Sequence, residues 1–309
     1  MVNTNPSGVP NNLDDIKVQI TEILDEIYAV EKKTSPWRPN PALVRGFQKA
    51  KYGQLATITT APLADYDKAL GYVAGAVGLE WKPYELRYDR GRSFVLDAVD
   101  MMQEEGVLEA TAVMAGNARE YIVPEQDKLA MAAAFAQIPT DNKVSEALTA
   151  GNVIQNIGDL LDKLRGITGI EEGYSVFISS KTRSILRNST EVTKTKSVDG
   201  YSGKLDLTAN TFDGQTIIYV PAERMMTAYD VIPGGGVNPG ASAKQMQVVI
   251  TAPNTVQNIV AHSINDIFGP GLPDGKSELV DGVRINTRIF YDTIVPANKA
   301  PGTGAIVTP

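Results

Sequence analysis

The chain contains no cysteine and only one histidine among its 309 residues. Without cysteine it has no disulfide, no thiolate metal ligand and no thiol nucleophile. Because His262 is the sole histidine, a metal site built on a histidine pair and a proton relay between two histidines are also excluded. Two common ways of building an enzyme site are therefore absent from this sequence.

Motifs that bind phosphate groups or activate a serine are missing as well. Gly275 to Ser277 resembles the end of a phosphate-binding loop, but Pro270 stands where its first glycine is needed. A dinucleotide-binding glycine pattern that starts at Gly234 fails at Pro239. No serine lies in G-x-S-x-G or three residues before a lysine. We expect no catalytic residue, no cofactor and no bound metal, with an enzyme that uses tyrosine, lysine and carboxylates as a minor alternative.

The charge balance and the hydrophobic runs exclude further classes of protein. Acidic residues outnumber basic ones by 36 to 29, so the basic stripe of a nucleic-acid-binding protein is not expected. The longest run of small apolar residues, Ala69 to Leu79, is shorter than the roughly 20 residues that cross a bilayer. The first twelve residues lack the basic and apolar regions of a secretory signal. These features predict a soluble protein made in the cytoplasm, without membrane contact or specific binding of nucleic acid.

The first patterned segment is a helix predicted over residues 13–33. Asn12 can cap its start, and apolar residues recur at spacings of three and four along it. This face provides candidate contacts with another subunit: Leu13, Ile16, Ile20, Ile23 and Ile27. Because the repeat covers fewer than three heptads, the pattern favours a helix that lies on its own or a neighbouring subunit over a coiled coil. Prolines between residues 36 and 41 end the helix.

A long excursion separates two predicted strands in the next part of the chain. Residues 54–60 are typical of a strand, and residues 84–88 with 93–96 of its return, whereas residues 61–83 are glycine-rich and weakly patterned. Excursions of this length inside a domain are more often functional arms than core elements. We therefore expect residues 61–83 to reach away from the body of the domain.

Charges of both signs alternate through the end of this excursion and into the helix that follows. Such a mixed surface suits a contact with another protein in a fixed register. The candidate inter-subunit contacts are Arg87, Asp89, Arg90, Arg92 and Asp97. The alternative, that these charges pair within the chain or only face solvent, is equally open at this point.

One long helix and one long strand dominate the remaining pattern. Residues 104–137 have helical periodicity, interrupted or kinked at Pro124, and about 30 residues would form a rod roughly 45–50 Å long. Residues 283–295 alternate strictly and predict a strand of roughly 43 Å. Together they predict an elongated domain.

A separate α/β block is predicted between these two elements. Helices are expected at 152–164, 181–187 and 254–265, the last of which contains His262. Strands are expected at 174–179, 204–208, 216–220 and 246–251.

Several of these segments, in order, resemble tailed-phage major capsid proteins of the Hong Kong 97 type. ELRYDRGRSFVLDAVDMM and AREYIVPEQDKLAM resemble the region between the family's extended loop and its spine helix. VFISSKTRSILRNS resembles the segment that enters the axial domain, and FDGQTIIYVPAERM resembles a hairpin of that domain. DGVRINTRIFYDTIVPANKAPG is similar to the closing strand and tail. The matches span roughly residues 50 to 305.

The resemblance implies an α+β fold of the Hong Kong 97 type, with a long spine helix, a long strand and an α/β axial domain. The implied parts are an N-terminal arm (1–35), a peripheral domain (36–53, 93–144 and 278–309), an extended loop (54–92) and an axial domain (145–277). It also implies a structural protein rather than an enzyme. Copies would assemble as hexamers and pentamers into an icosahedral shell around double-stranded DNA, formed in the bacterial host cytoplasm and present in the virion.

The resemblance leaves the partners partly open. The short arm favours a separate scaffolding protein, and a portal and decoration proteins are further expected partners. Some family members cross-link a lysine to an asparagine; Lys68, Lys82 and Asn298 are available here, but no cross-link is predicted. The alternative within the same fold is an encapsulin-like compartment, which would enclose enzymes instead of DNA.

Overall fold

The computed structural model describes residues 31–47, 51–61, 77–97, 114–189, 211–268 and 282–309, together with positions 22, 26, 64–66, 68, 74–75 and 112. The strand predicted at 204–208 lies outside these residues. So do the candidate arm contacts Leu13, Ile16, Ile20, Ile23 and Ile27.

Within the described residues, three α-helices accompany strands that form one six-stranded sheet, two three-stranded sheets and a two-stranded ribbon. The helices are α1 (114–137), α2 (Val153–Thr168) and α3 (Ser180–Arg187). The strands are β1 (Val44–Arg45), β2 (Tyr52–Thr60), β3 (Val77–Glu85), β4 (Tyr88–Asp97), β5 (Lys143–Ser145), β6 (Ser175–Ser179), β7 (Thr211–Phe212), β8 (Gln215–Val220), β9 (Tyr229–Val231), β10 (Val237–Pro239), β11 (Met246–Thr251), β12 (Gln257–Phe268), β13 (Gly282–Ile294) and β14 (Thr303–Val307).

The larger sheet is six-stranded, with the order β5-β14-β11-β6-β8-β7. Its strand β11 is buried at every position because both faces of the sheet are covered. Val248 and Ile250 pack with α2 and α3 on one face, whereas Val249 packs with α1 and Trp37 on the other. The predictions for 152–164, 174–179, 181–187, 216–220 and 246–251 are confirmed within a few residues.

The second sheet is three-stranded, with the order β12-β13-β4 and the long strand in the centre. The strand predicted at 283–295 is confirmed, as Gly282–Ile294. Ile285, Ile289 and Tyr291 are buried on the predicted apolar face. The opposite face is exposed at Arg288, but at Asp292 it is buried too, so the simple alternation holds only for the first half of the strand.

Helix α1 continues past Pro124 instead of ending there. Residues Ala118–Ile122 form a π-helical turn, in which the backbone N–H of Val123 donates to the carbonyl of Ala118. Proline lacks an N–H and its ring crowds the carbonyl four residues earlier, and the wider turn gives that ring room. The helix then runs on to Gln137 and packs across β13.

The excursion is an antiparallel hairpin of β2 and β3, paired from Tyr52 opposite Glu85 to Thr60 opposite Val77. Its return strand therefore begins at Val77, and the prediction of a return at 84–88 with 93–96 is wrong. The chain leaves the hairpin at Leu86, which is fully buried against β12 and β13. Because this anchor redirects the chain, β4 pairs with β13 and not with β2.

The helix predicted at 254–265 is also wrong, because these residues form most of strand β12. Asn254 adopts a left-handed backbone in the turn before it, with φ of 55°. Residues 257–259 and Ala261 are buried and Val260 is exposed, so it is the ladder of pairs with β13 that identifies the strand. Pairing along β13 outweighs the helical spacing of the apolar residues. His262 consequently lies in a strand.

Both the six-stranded sheet and the sheet of β12, β13 and β4 take strands from more than one of the predicted parts of the chain, and the domain boundaries stay a prediction. Strand β12, placed by sequence in the axial block 145–277, pairs with β13 in the three-stranded sheet. Strands β5 and β14, placed in the peripheral segments, belong to the six-stranded sheet. Strand partners are chosen by tertiary contacts, so neighbours in one sheet can come from distant parts of the sequence.

Candidate functional site

The base of the hairpin is fixed to the long strand by a buried carboxylate. Asp292, whose side chain is fully buried, accepts hydrogen bonds from Tyr84 Oη at 2.9 Å and from Arg87 Nε and Nη2 at 2.8 and 2.9 Å. The backbone N–H groups of Arg87 and Thr293 donate to it as well. Burial and the nearby Asp292 carboxylate raise the pKa of Tyr84 to about 12. Asp292 therefore holds the base of the hairpin in a fixed position on strand β13.

Two further ion pairs hold strand β4 in place. Arg90 makes a two-point contact with Glu125 of α1, at 2.7 and 3.2 Å, and Tyr291 Oη donates to the same carboxylate at 2.9 Å. Arg288 of β13 contacts Asp89 at 2.8 and 2.6 Å, and these hydrogen bonds lower the pKa of Asp89. The first pair joins the sheet to the helix, and the second lies on the more exposed face of the sheet.

These contacts narrow the set of candidate inter-subunit charges. Arg87, Asp89 and Arg90 pair within the chain, as the alternative interpretation of the sequence allowed. Asp97 ends β4 opposite Gly282. Arg92 is exposed and has no ion-pair partner among the residues that the structure describes. That any of them contacts a second subunit stays a prediction, and Arg92 is the candidate whose charge is still available.

The hairpin itself presents large apolar side chains to solvent. Tyr52, Val77 and Leu79 are 64, 79 and 58% exposed. On β1, the Arg45 guanidinium lies 3.8 Å from the ring centre of Trp81, which steadies the base of the hairpin. These exposed apolar groups make the hairpin a candidate interaction surface.

A groove with a volume of about 960 Å³ runs beside β4. Its floor is the face of the three-stranded sheet that carries Thr287, Ile289 and Tyr291. One wall is helix α1 from 117 to 128, and the other is the glycine-rich turn 233–237 between β9 and β10. Arg90 and Arg92 lie along its β4 side.

Asp127 of α1 forms a second buried junction. Its fully buried carboxylate accepts hydrogen bonds from the backbone N–H groups of Lys33 and Thr34, from the Thr34 hydroxyl and from Arg224 Nη1, at 2.9–3.1 Å. Asn258 Nδ2 donates to the same Thr34 hydroxyl at 3.1 Å. One carboxylate thus joins the segment that leads out of the predicted arm, the long helix and the turn after β8.

Lys32 lies next to this junction, and burying its charge lowers the stability of the folded state by an amount that can be measured. Burial lowers its pKa from 10.5 to about 8, although the charge of Asp127 opposes the shift. Because the folded state holds this proton less tightly than the unfolded state, charged Lys32 destabilises the fold below pH 8. That cost is relieved as the pH rises from about 8 to 10.5, where the folded lysine is already neutral.

We expect Lys32→Met to increase the free energy of unfolding by about 1–2 kcal/mol at pH 7, with a gain that shrinks towards pH 10.5. Urea unfolding followed by circular dichroism at several pH values measures this difference. Lys244→Met, at an exposed lysine, controls for the general loss of one positive charge. A gain that stays constant from pH 7 to 10.5 would contradict the assigned cause.

Sequence reasoning missed the two buried carboxylates and the groove. Asp292 was expected on a polar strand face and Asp127 drew no attention. For Asp292 the available signal was a single acid inside an apolar run, IFYDTIV, whereas Asp127 lies among the polar residues of EQDKLAM and carries no such signal. The groove could not be found this way, because it is formed by three segments far apart in sequence.

The described residues hold no group of three or more His, Cys, Asp or Glu side chains placed to bind a metal ion. Among the same residues, no helix combines the length and hydrophobicity needed to span a membrane.

Comparisons with known proteins identify the fold. No protein-family model matches the chain, and no curated protein is similar to it. The capsid structure of cyanophage P-SCSP1u is similar with a TM-score of 0.60 and 12% identity, over 86% of this chain and 85% of that one. The mature capsid of bacteriophage PhiM1 matches with a TM-score of 0.55 and 12% identity, over 85% of this chain and 83% of that one. A structure from Mycobacterium phage Che8 matches with a TM-score of 0.53 and 16% identity, over 84% and 85%.

These similarities cover most of each chain and confirm the predicted α+β fold, that of tailed-phage capsid proteins of the Hong Kong 97 type.

Proposed function

We propose, from its Hong Kong 97-type fold, that this chain is the major subunit of a phage capsid. Copies assemble as hexamers and pentamers into an icosahedral shell that encloses double-stranded DNA. The observation that carries the proposal is the hairpin of β2 and β3, which exposes apolar side chains while its base is rigidly held by Asp292. Such an element is suited to cover a neighbouring copy.

The physical argument starts from the apolar surface of the hairpin. Exposed Val77 and Leu79 gain about 25 cal/mol for each Å² of apolar surface that a neighbour covers. A single contact of this kind is weak after the costs of ordering are subtracted. A closed shell gives each subunit several neighbours, so modest contacts become collectively strong.

The charge of the chain fits a container for DNA better than a DNA-binding protein. With a net charge of −7, the subunit lacks the excess of lysine and arginine that would hold packed DNA by its phosphates. We propose that DNA is enclosed without specific binding. A separate scaffolding protein, a portal and decoration proteins complete the proposed set of partners, with assembly in the host cytoplasm and the mature protein in the virion.

Negative-stain microscopy of the expressed protein, alone and together with the products of neighbouring genes, tests this proposal. We expect closed particles of uniform size. A chain that stays monomeric under all of these conditions would refute the proposal, and particles loaded with enzyme instead of DNA would favour the compartment alternative.

Leu79→Asp is expected to reduce particle yield at least about tenfold while leaving the stability of the subunit within about 0.5 kcal/mol, because the side chain is exposed in the single chain. Sedimentation measures the yield, and urea unfolding measures the stability. The matched control is Glu80→Gln at the next position, also exposed, for which we expect particles in normal yield. Equal particle yields from both variants would remove the hairpin from the assembly surface.

A further inference from the structure

The groove beside β4 combines unused positive charge, a free strand edge and exposed apolar groups. We propose that it binds an extended, acidic segment of a second copy of this chain. This inference rests on the proposed function, because only an assembling subunit meets further copies at high local concentration.

The basic residues that line the groove are only partly neutralised by acidic ones. Arg90 is neutralised by Glu125, but Arg92 and Lys128 have no ion-pair partner within the described part of the chain. Three basic and two acidic residues line the groove, with Glu120 as the second acid, so the lining carries a net charge of +1. The chain as a whole has a net charge of −7. A carboxylate from another copy is therefore attracted to this place more than to the average surface.

Strand β4 offers the groove an unpaired edge. In the three-stranded sheet β13 lies on one side of β4, and no described strand lies on the other. Gly91, Arg92, Ser93 and Val95 are all exposed, so this part of the strand is accessible to solvent from both faces. An edge with free backbone N–H and C=O groups accepts an added strand from another chain.

Apolar groups border the charged residues. Tyr121 is 63% exposed, and it lines the groove together with Ile122 and Pro124. Tyr121 belongs to the π-helical turn Ala118–Ile122, and such turns are frequently found at functional sites. A segment with a carboxylate and an apolar side chain could pair with the basic residues of the lining and cover its apolar residues.

The glycine turn keeps the opposite side of the groove open. Gly235 and Gly236 have φ of 121° and 86°, a backbone that residues with side chains rarely adopt. A Cβ at Gly235 would come within 3.1 Å of Arg92 Nη1. The absence of a side chain there leaves the guanidinium free to reach an incoming carboxylate.

A photo-cross-linking amino acid at position 121, benzoylphenylalanine in place of tyrosine, tests the inference in assembled particles. After irradiation, a denaturing gel should show a band at twice the subunit mass of 33.2 kDa. Mass spectrometry should place the cross-link on a peptide that contains Asp or Glu. Arg92→Glu should lower the yield of that band about tenfold, whereas Arg92→Lys, which keeps the charge, should retain most of it.

The outcomes separate the two proposals. If the unmodified chain forms no particles, the proposed function fails. If particles form but the cross-link stays within one chain, joins a host protein or lands on a peptide without an acidic residue, the function stands and the groove inference is overturned. A dimer band that Arg92→Glu leaves unchanged overturns it as well.

Discussion

Asp292→Ala is expected to lower the free energy of unfolding by about 3–5 kcal/mol, the cost of breaking a buried ion pair by removing one partner. The substitution leaves Tyr84 Oη, the Arg87 guanidinium and two backbone N–H groups without their acceptor. Arg87 is half exposed and can turn towards water, which places the expected value at the lower end of this range. Urea unfolding of the purified chain measures the loss.

The same variant should also loosen the hairpin, because Tyr84 and Arg87 are the residues through which it meets the long strand. Limited proteolysis should cut the hairpin faster than in the wild type, and particle yield should fall. Asp292→Asn keeps the shape and one acceptor oxygen, so it should show a smaller loss and remains useful if the alanine variant does not fold.

Asp89→Ala provides the matched control on the neighbouring strand. Its ion pair with Arg288 is partly exposed, and pairs of that kind contribute about 0–1 kcal/mol. If the Asp292 and Asp89 variants lost similar amounts of unfolding free energy, burial of the carboxylate would not determine how much it stabilises the fold.

Asp127→Ala has the second large expected effect, a loss of about 3 kcal/mol in the free energy of unfolding. Its carboxylate is fully buried and joins Lys33 and Thr34 to α1 and to Arg224. Without it, proteases should cleave residues 31–38 faster, because this segment loses its attachment to the helix. Urea unfolding and limited proteolysis measure the two effects.

Glu120→Ala on the same helix serves as the comparison, since this acid is exposed. It should change the free energy of unfolding by less than about 0.5 kcal/mol and leave cleavage of the segment unchanged. If the Asp127 variant is as stable and as resistant to protease as the Glu120 variant, the junction does not hold the segment.

The elements that could be predicted from sequence are those in which the spacing of apolar residues follows directly from which face is buried. Strand β13 was predictable because its residues Ile285, Thr287, Ile289 and Tyr291 are buried on one face, against which the long helix α1 packs. The prediction of a helix at 254–265 was wrong because Ile259, Val260 and Ile264 fit the period of a helix as well as that of a strand. Only the pairing with β13 decides between the two.

The candidate site was harder to predict than the fold. The alternating charges after Glu85 marked the right region, but three of the charges find their partners 35 to 205 residues away in the sequence. No local pattern encodes those partners. Arg92 could be singled out only after the intrachain pairs of its neighbours were known.

The place of β14 in the larger sheet has a consequence for biosynthesis. This strand joins β5 to β11, all of its residues are buried, and it follows every other strand of the sheet in the chain. The sheet therefore cannot close until all of its other strands have been synthesised. Closure also requires contacts between residues far apart in sequence, which slows folding. Freshly made chains then pass through an incomplete state with exposed strand edges, and chaperones are expected to bind them at that stage.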